Sequence, residues 1–190
     1  PTDYGGSGLG LAEATVVIEV GVGDSIPSGD TIARVLGGSI PLHEIRRAFL
    51  LGTERTMEQD PKFALRLLAD VAIKALSPAI NDPTTAVQAL DQIEDLLLRL
   101  GRCRLTVGRA SDASGRLRLV VPAPSWDDFL VLAFDEIRFC GANSIQVMRR
   151  MRALLLDLIE HVPAERQAAL RRYLGRVDNG IRRTFADGED

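Results

Sequence analysis

The chain has 190 residues, 46% of them apolar, and its 23 basic and 26 acidic residues give a net charge of −3. This length and apolar content allow one domain with a sizeable core and exclude a disordered chain. Binding to duplex nucleic acid requires clustered cations, so the charge balance argues against nucleic acid as a main partner.

Cysteine content and hydropathy limit the cellular setting. Cys103 and Cys140 lie among apolar neighbours, which predicts buried free thiols and no disulfide. No run reaches the roughly 18 apolar residues that a membrane-spanning helix needs. The Gly-rich beginning also lacks the cationic and apolar run of a signal peptide. We therefore expect a soluble chain.

The first elements in chain order are predicted to be strands. Residues 1–13 indicate a flexible entry, because glycines recur there without a preceding strand. Residues 14–36 contain two β-branched or apolar runs separated by the turn signals Gly23-Asp24 and Ser28-Gly29-Asp30. They predict two short strands.

Helices dominate from residue 40 onwards. Pro41 and Gly52 predict the limits of a first helix. The next helix is predicted over 61–76, where nearly every side chain outside one four-residue-spaced polar stripe is apolar; the stripe comprises Lys62, Arg66, Asp70 and Lys74. A helix with so narrow a polar stripe is expected to be buried on most sides, so we place it at the centre of a bundle.

The second half of the chain adds a hairpin and four helices. Asp82 with Pro83 predicts a helix start, and Gly101 predicts its end. Residues 103–107 and 116–121 are predicted to pair as a β-hairpin. The remaining helices are predicted to start at Ser125, which forms a capping box with Asp128, at 143–144 and at Pro163.

These elements predict an α+β fold, mainly a helical bundle around a central buried helix with a small β subdomain. We expect one soluble domain over 14–186, followed by a frayed tail at 187–190. Its β subdomain comprises 14–36 and 103–121, and its bundle comprises 40–101 and 125–186.

Motif searches reveal no catalytic constellation. His43 and His161 fall on separate predicted helices, without the His, Cys or carboxylate spacing of a zinc or iron site. No nucleophile elbow, HExxH motif or phosphate-binding loop occurs. The sequence therefore predicts no catalytic residue, no metal and no cofactor.

Polar residues flank or lie on the predicted 61–76 helix. Helix caps explain most of them, since Ser, Asn, Asp and Thr bind unpaired backbone groups at helix ends. The alternative is a site for an anion or polar ligand at the helix start over 82–85. We expect segments 52–61 and 77–86 to lie close together in space, with Asp82 acting chiefly as a cap. The candidate cluster comprises Arg55, Glu58, Asp60, Arg66, Ser77, Asn81, Asp82, Thr84 and Thr85.

The region 52–97 also resembles a known family. Segments 22–35 and 124–138 are similar to the same family, so the resemblance covers most of the chain from about residue 14. The matching residues are Glu54, Arg55, Thr56, Glu58, Gln59, Asp60, Phe63, Ala64, Arg66 and the stretch 75–86 (ALSPAINDPTTA). This pattern is similar to that of domain-of-unknown-function family 2254, bacterial predicted membrane proteins. The resemblance implies that membrane-spanning helices precede this region in a longer inner-membrane protein, with this domain in the cytoplasm. It supplies no catalytic residues.

Three functions remain open from the sequence. The first is a non-enzymatic domain that regulates, assembles or senses a ligand for a membrane protein. The second is an enzyme that uses Glu58, Asp60 or Asp82 as acid/base groups, with Arg55 or Arg66 holding an anion. The third is a purely structural oligomerisation module. As partners we expect the protein's own membrane-spanning region and a second copy of the chain, most simply in a homodimer.

Overall fold

A computed structural model describes residues 13–50, 52, 60–105 and 108–185. Within these ranges the strands are β1 (Thr15–Ile18), β2 (Ala33–Leu36), β3 (Arg109–Ser111) and β4 (Leu117–Val120). The helices are α1 (Leu42–Arg47), α2 (Pro61–Ala75), α3 (Pro83–Arg102), α4 (Trp126–Cys140), α5 (Ile145–His161) and α6 (Ala164–Phe185). The predicted fold class, α+β with a mainly helical character, is confirmed.

The chain divides into two compact units. The sheet unit comprises 1–60 and 105–123, and the helical unit comprises 61–104 and 124–190. Helix α1 therefore belongs to the same unit as the four strands.

The sheet unit contains one four-stranded sheet in the order β2-β1-β4-β3. β1 and β2 pair antiparallel, as residues 14–36 predict, with Thr15 opposite Leu36. β1 also pairs with β4 in parallel, and the Thr15 hydroxyl donates to the Leu117 carbonyl at 2.7 Å. The two chain segments that form the sheet unit are therefore joined by the pairing of β1 with β4, the two central strands of its sheet.

The second hairpin differs from its prediction. Its first strand is β3 at 109–111, whereas a strand was predicted over 103–107. Immediately after β3, the Asp112 carboxylate accepts bonds from the backbone N–H of Ser114 (2.9 Å) and of Arg116 (3.1 Å). Gly115 completes this tight turn with φ +83°. Because the turn is so short, pairing begins directly beside it, within the segment predicted as a loop.

The helical unit has a continuous apolar core. α3 packs against α2 on one side and α5 on another, α4 packs against α2, and α6 packs mainly against α5. Fully buried large side chains come from α2, α3, α4 and α5; among them are Leu65, Leu90, Ile93, Leu97, Phe129, Phe134, Met148, Met151 and Leu155. Helix α6 adds Leu170 and Val177, which are also excluded from solvent.

Helix α2 is less enclosed than its sequence predicts. Its buried residues form one stripe, Leu65, Ala69, Ala72 and Ala75, whereas Leu67 and Val71 are 38% and 48% exposed. The prediction that this helix is buried on most sides is therefore wrong. α2 packs mainly against α3 and α4, which cover the alanine-rich stripe and leave the opposite apolar side chains accessible.

Two further local predictions need correction. Gly101 is the second-last residue of α3, so the predicted helix end is correct to within one residue. Its role differs from the predicted one, because Gly101 is buried and a Cβ there would come within 2.7 Å of Val162 Cγ1. The glycine therefore permits close packing and is not a C-terminal cap. Cys103 and Cys140 are free, as predicted, but both are exposed instead of buried.

Candidate functional site

The connection between α2 and α3 is a tight turn held by hydrogen bonds between its own backbone groups. The Ser77 carbonyl accepts bonds from the N–H groups of Ile80 (3.0 Å) and Asn81 (2.9 Å). The Asp82 N–H donates to the carbonyl of Ala75, the last residue of α2, at 2.8 Å. Asn81 adopts φ +46°, a left-handed conformation that Asn tolerates better than most residues. These bonds hold the start of α3 against the end of α2.

Asp82 caps α3, which confirms the role predicted for it. Its carboxylate accepts from the Thr85 N–H at 3.1 Å and from the Thr85 hydroxyl at 2.5 Å, and Pro83 occupies the first turn. The Thr85 hydroxyl, followed by the backbone N–H groups of Thr85 and Thr84, lowers the pKa of the Asp82 carboxyl because these bonds favour the charged form. The negative charge at this helix start is therefore supplied by the chain itself.

This arrangement bears directly on the predicted anion site. An anion at the start of α3 would compete with the Asp82 carboxylate for the Thr85 N–H. Thr84 and Asn81 are exposed, and Ser77 is partly exposed. The geometry of 77–85 thus explains Asp82, Thr85 and the Ser77 backbone as parts of a helix–helix turn.

Arg66 is in a different place and has different partners. Its Nε donates to Asp70 Oδ1 at 2.8 Å, and its Nη1 and Nη2 donate to Glu136 Oε1 and Oε2 at 2.5 and 3.1 Å. These bonds, to Glu136 first and to Asp70 second, raise the pKa of Arg66 above its ordinary value. The same arginine lowers the pKa of Glu136. Arg66 therefore joins α2 to α4.

Asp60 directly precedes Pro61, the first residue of α2, and is only 4% exposed. The fifteen residues of α2 rise by about 22 Å, so Pro61 and Ala75 lie at opposite ends of this helix. Within segment 52–61, residues 53–59 lie outside the described residues, and Arg55 and Glu58 are among them. The expected proximity of segments 52–61 and 77–86 therefore stays a prediction.

Sequence reasoning missed a charged cluster between α3 and α5. Arg150 Nε donates to Asp91 Oδ1 at 2.6 Å, and its Nη2 donates to Glu94. A shallow groove beside these residues is also lined by Asp95 and Asp157. The signal was available, since Asp91 and Glu94 are three residues apart on one helix face. A run of arginines at 149, 150 and 152 is, however, equally typical of a solvated helix face.

A second missed cluster lies between α4 and α6. The Tyr173 ring packs against Phe134 with centroids 5.5 Å apart, and the Arg176 guanidinium lies 5.0 Å from the Tyr173 ring centroid. Burial, and then the nearby Asp135 carboxylate, raise the pKa of Tyr173 to about 12.

Across the described part of the chain, no group of three or more His, Cys, Asp or Glu residues could hold a metal ion.

Comparison with known proteins decides the family. A family model described as predicted membrane protein, domain of unknown function 2254, matches residues 10–157. The chain belongs to this family. The resemblance inferred from the sequence is thereby confirmed over most of the chain.

Relatives of this family member are longer proteins. Uncharacterized proteins of Mycobacterium bovis and of two strains of Mycobacterium tuberculosis are each 30% identical to it over 186 residues. These matches cover 93% of this chain but only 36% of each relative. No solved structure matches the chain. Of the helices in the described ranges, none combines the length and the apolar character needed to cross a membrane.

Proposed function

We propose that this chain is a cytoplasm-facing, non-catalytic assembly module of a bacterial inner-membrane protein. The observation that carries the proposal is how the polar candidates are used: Asp82 ties the start of α3, and Arg66 ties α2 to α4. The charged groups of both side chains therefore bind other parts of the chain and hold helices in place. A regulatory or ligand-sensing role remains compatible with such a module and would act through the same helices.

Exposed apolar side chains support an assembly role. Leu67 and Val71 lie four residues apart on one face of α2, and Phe139 near the end of α4 is 81% exposed. A contiguous exposed apolar patch marks a region that contacts another protein or a membrane. We propose that the α2 face contacts a second copy of the chain, while the protein's own membrane-spanning region is its other partner.

The oligomeric state tests this proposal directly. Light scattering of the 190-residue chain is expected to give a dimer, and Leu67→Asp with Val71→Asp is expected to give the 20.7 kDa monomer. Leu156→Asp is the matched control, because Leu156 is 41% exposed but lies on α5. A monomer at every concentration of the unaltered chain contradicts the second copy as partner. If Leu156→Asp dissociates the dimer to the same extent, the α2 face is not the contact between the two copies.

Orientation is tested in the full-length protein. A green fluorescent protein fused after this domain is expected to fluoresce, and alkaline phosphatase fused at the same position is expected to be inactive. The reverse pattern places the domain outside the cytoplasm and overturns this part of the proposal.

An acid/base enzyme is the alternative, and Asp60 is the observation that favours it. Asp60 is the one charged residue in the described ranges that is buried. Asp60→Asn keeps the size of the side chain and removes its ability to exchange a proton. Loss of the full-length protein's cellular activity, with an unchanged melting temperature, would favour the enzyme over the assembly module.

A further inference from the structure

Positive charge is concentrated on the last helix. Helix α6 contains six arginines and only two acidic residues, Glu165 and Asp178, in a chain whose overall charge is negative. Its surplus of four positive charges contrasts with the net charge of −3 for the whole chain.

Four of the arginines lie on the exposed side of α6. Arg171 and Arg182 are eleven residues apart, as are Arg172 and Arg183, and eleven residues make just over three helical turns. The two pairs therefore form neighbouring stripes along the helix, and all four residues are exposed. We call these four arginines the basic face. The buried side of α6 holds Ala169, Leu170, Tyr173 and Val177.

The partners of the basic face leave most of its charge in place. Arg171 and Arg182 donate to the neutral amide oxygens of Gln167 (3.1 Å) and Asn179 (2.9 Å). Arg172 pairs with Asp127 at 2.7 Å, but both side chains are about 60% exposed and strongly solvated. Asp178, the acidic residue nearest in sequence, accepts a bond from Arg152 of α5.

The side chains beside the arginines of the basic face are small. Ala168, Gly175 and Asn179 are exposed on the same side of α6, and no large apolar side chain of α6 is exposed among the described residues. A partner would therefore be attracted by charge and would not receive an inserted apolar anchor.

We propose that the basic face adsorbs on the anionic surface of the bilayer in which this family member resides. Clusters of four or more Lys or Arg on a helix bind acidic lipid head groups, and guanidinium groups pair with phosphate oxygens in a forked geometry. The helix lies along the head groups without entering the hydrocarbon. This inference rests on membership of a membrane-protein family, and it does not require the dimer proposed above.

An acidic segment follows the basic face in the sequence and is expected to weaken its contact with an anionic membrane. Residues 186–190, which lie outside the described part, add Asp187, Glu189 and Asp190 within seven residues after Arg183. These negative charges oppose adsorption on an anionic surface. Removing 186–190 is therefore expected to strengthen vesicle binding.

Cosedimentation of the 190-residue chain with vesicles tests the proposal. The chain is expected to bind phosphatidylglycerol vesicles and not phosphatidylcholine vesicles. Binding should disappear at about 1 M salt, where the screening length is about 3 Å. The variant Arg171→Gln/Arg182→Gln/Arg183→Gln is expected to bind at least about tenfold more weakly, since each cation near the surface contributes separately. Thermal melts establish that each variant is folded.

A matched control removes the same charge elsewhere. Arg46→Gln/Arg47→Gln/Arg109→Gln replaces three exposed arginines of the sheet unit and is expected to bind almost as tightly as the unaltered chain. The proposal is overturned if the two triple variants lose binding equally, or if the unaltered chain fails to bind pure phosphatidylglycerol at about 0.01 M salt, where screening is weakest. Tighter binding to RNA than to these vesicles at equal salt would likewise overturn it.

Discussion

The backbone N–H of Asp82 donates to the carbonyl of Ala75 at 2.8 Å, so the residue that caps α3 is also bonded to the last residue of α2. One aspartate thereby begins α3 and binds a terminal carbonyl of α2. Its side chain serves α3 alone, through Thr85. This separation allows the cap to be tested without altering the backbone connection.

Removing the cap should destabilise the helical unit. Asp82→Ala leaves the Thr85 N–H without its partner and is expected to lower the melting temperature by about 2–4 °C. Asp82→Asn retains an acceptor oxygen and is expected to melt within about 1 °C of the unaltered chain, because Asn caps nearly as well as Asp. Circular dichroism at increasing temperature measures both. Wild-type melting of Asp82→Ala contradicts the capping role.

Stability should fall in acid partly through the same group. Hydrogen bonds from Thr85 lower the pKa of Asp82, and bonds from Ser125 lower that of Asp128. Because each folded pKa is below its unfolded value of about 3.9, the unfolded chain binds more protons between the two values. The stability that these groups add is present above about pH 4 and is lost as the pH falls further. In melts across this range, Asp82→Asn should show a smaller loss than the unaltered chain.

The ion pair between α2 and α4 should contribute modestly. In a double-mutant cycle, Arg66→Gln and Glu136→Gln are expected to show a coupling of about 0.2–1 kcal/mol that weakens with salt, because both groups are partly exposed. Arg172→Gln with Asp127→Asn is the control, since that pair also joins two helices but is more exposed on the arginine side. Urea unfolding measures both cycles. Equal couplings would mean that the bidentate geometry of Arg66 adds nothing.

Two helical glycines should respond to alanine in opposite directions. Gly101→Ala places a Cβ within 2.7 Å of Val162 Cγ1 and is expected to destabilise the chain by about 1–3 kcal/mol. Gly175→Ala meets no atom within 4 Å and is expected to stabilise it by about 0.5–1 kcal/mol, because alanine loses less entropy in a helix. Urea unfolding midpoints measure both changes. The same sign for the two variants contradicts the packing of α3 against Val162.

Tyr173 should ionise at unusually high pH. The chain has two tyrosines, so Tyr4→Phe leaves Tyr173 as the sole ultraviolet reporter. Its pKa is expected near 12, chiefly because burial and then Asp135 disfavour the phenolate. The unfolded chain ionises near pH 10, so stability should decline as the pH rises from about 10 towards 12. Ionisation near pH 10 while the helical circular dichroism is intact contradicts this environment.

The sequence alone determined the features that depend on neighbouring residues. The capping box of Ser125 and Asp128 and the Asp82-Pro83 helix start both appear where their spacing predicts them. The helix start expected at 143–144 is also present, with Ser144 as its cap. The β1–β2 pair is likewise encoded by turn residues and β-branched runs. Each rests on bonds or turns within a few residues, so no knowledge of distant segments is needed.

Only the tertiary structure decided how the elements meet. Glu136, the partner of Arg66 on α4, lies 70 residues away in sequence, and the covered side of α2 depends on where α3 and α4 pack. From the sequence, Gly101 indicates only a helix end. The close approach of Val162 in the structure shows that a glycine is also needed there for packing. The spacing of side chains predicts which face of a helix is apolar. Which two helix faces contact each other depends on how the whole helical unit folds. For this reason the caps were predictable, whereas the interhelical partners of Arg66 and the exposed face of α2 were not.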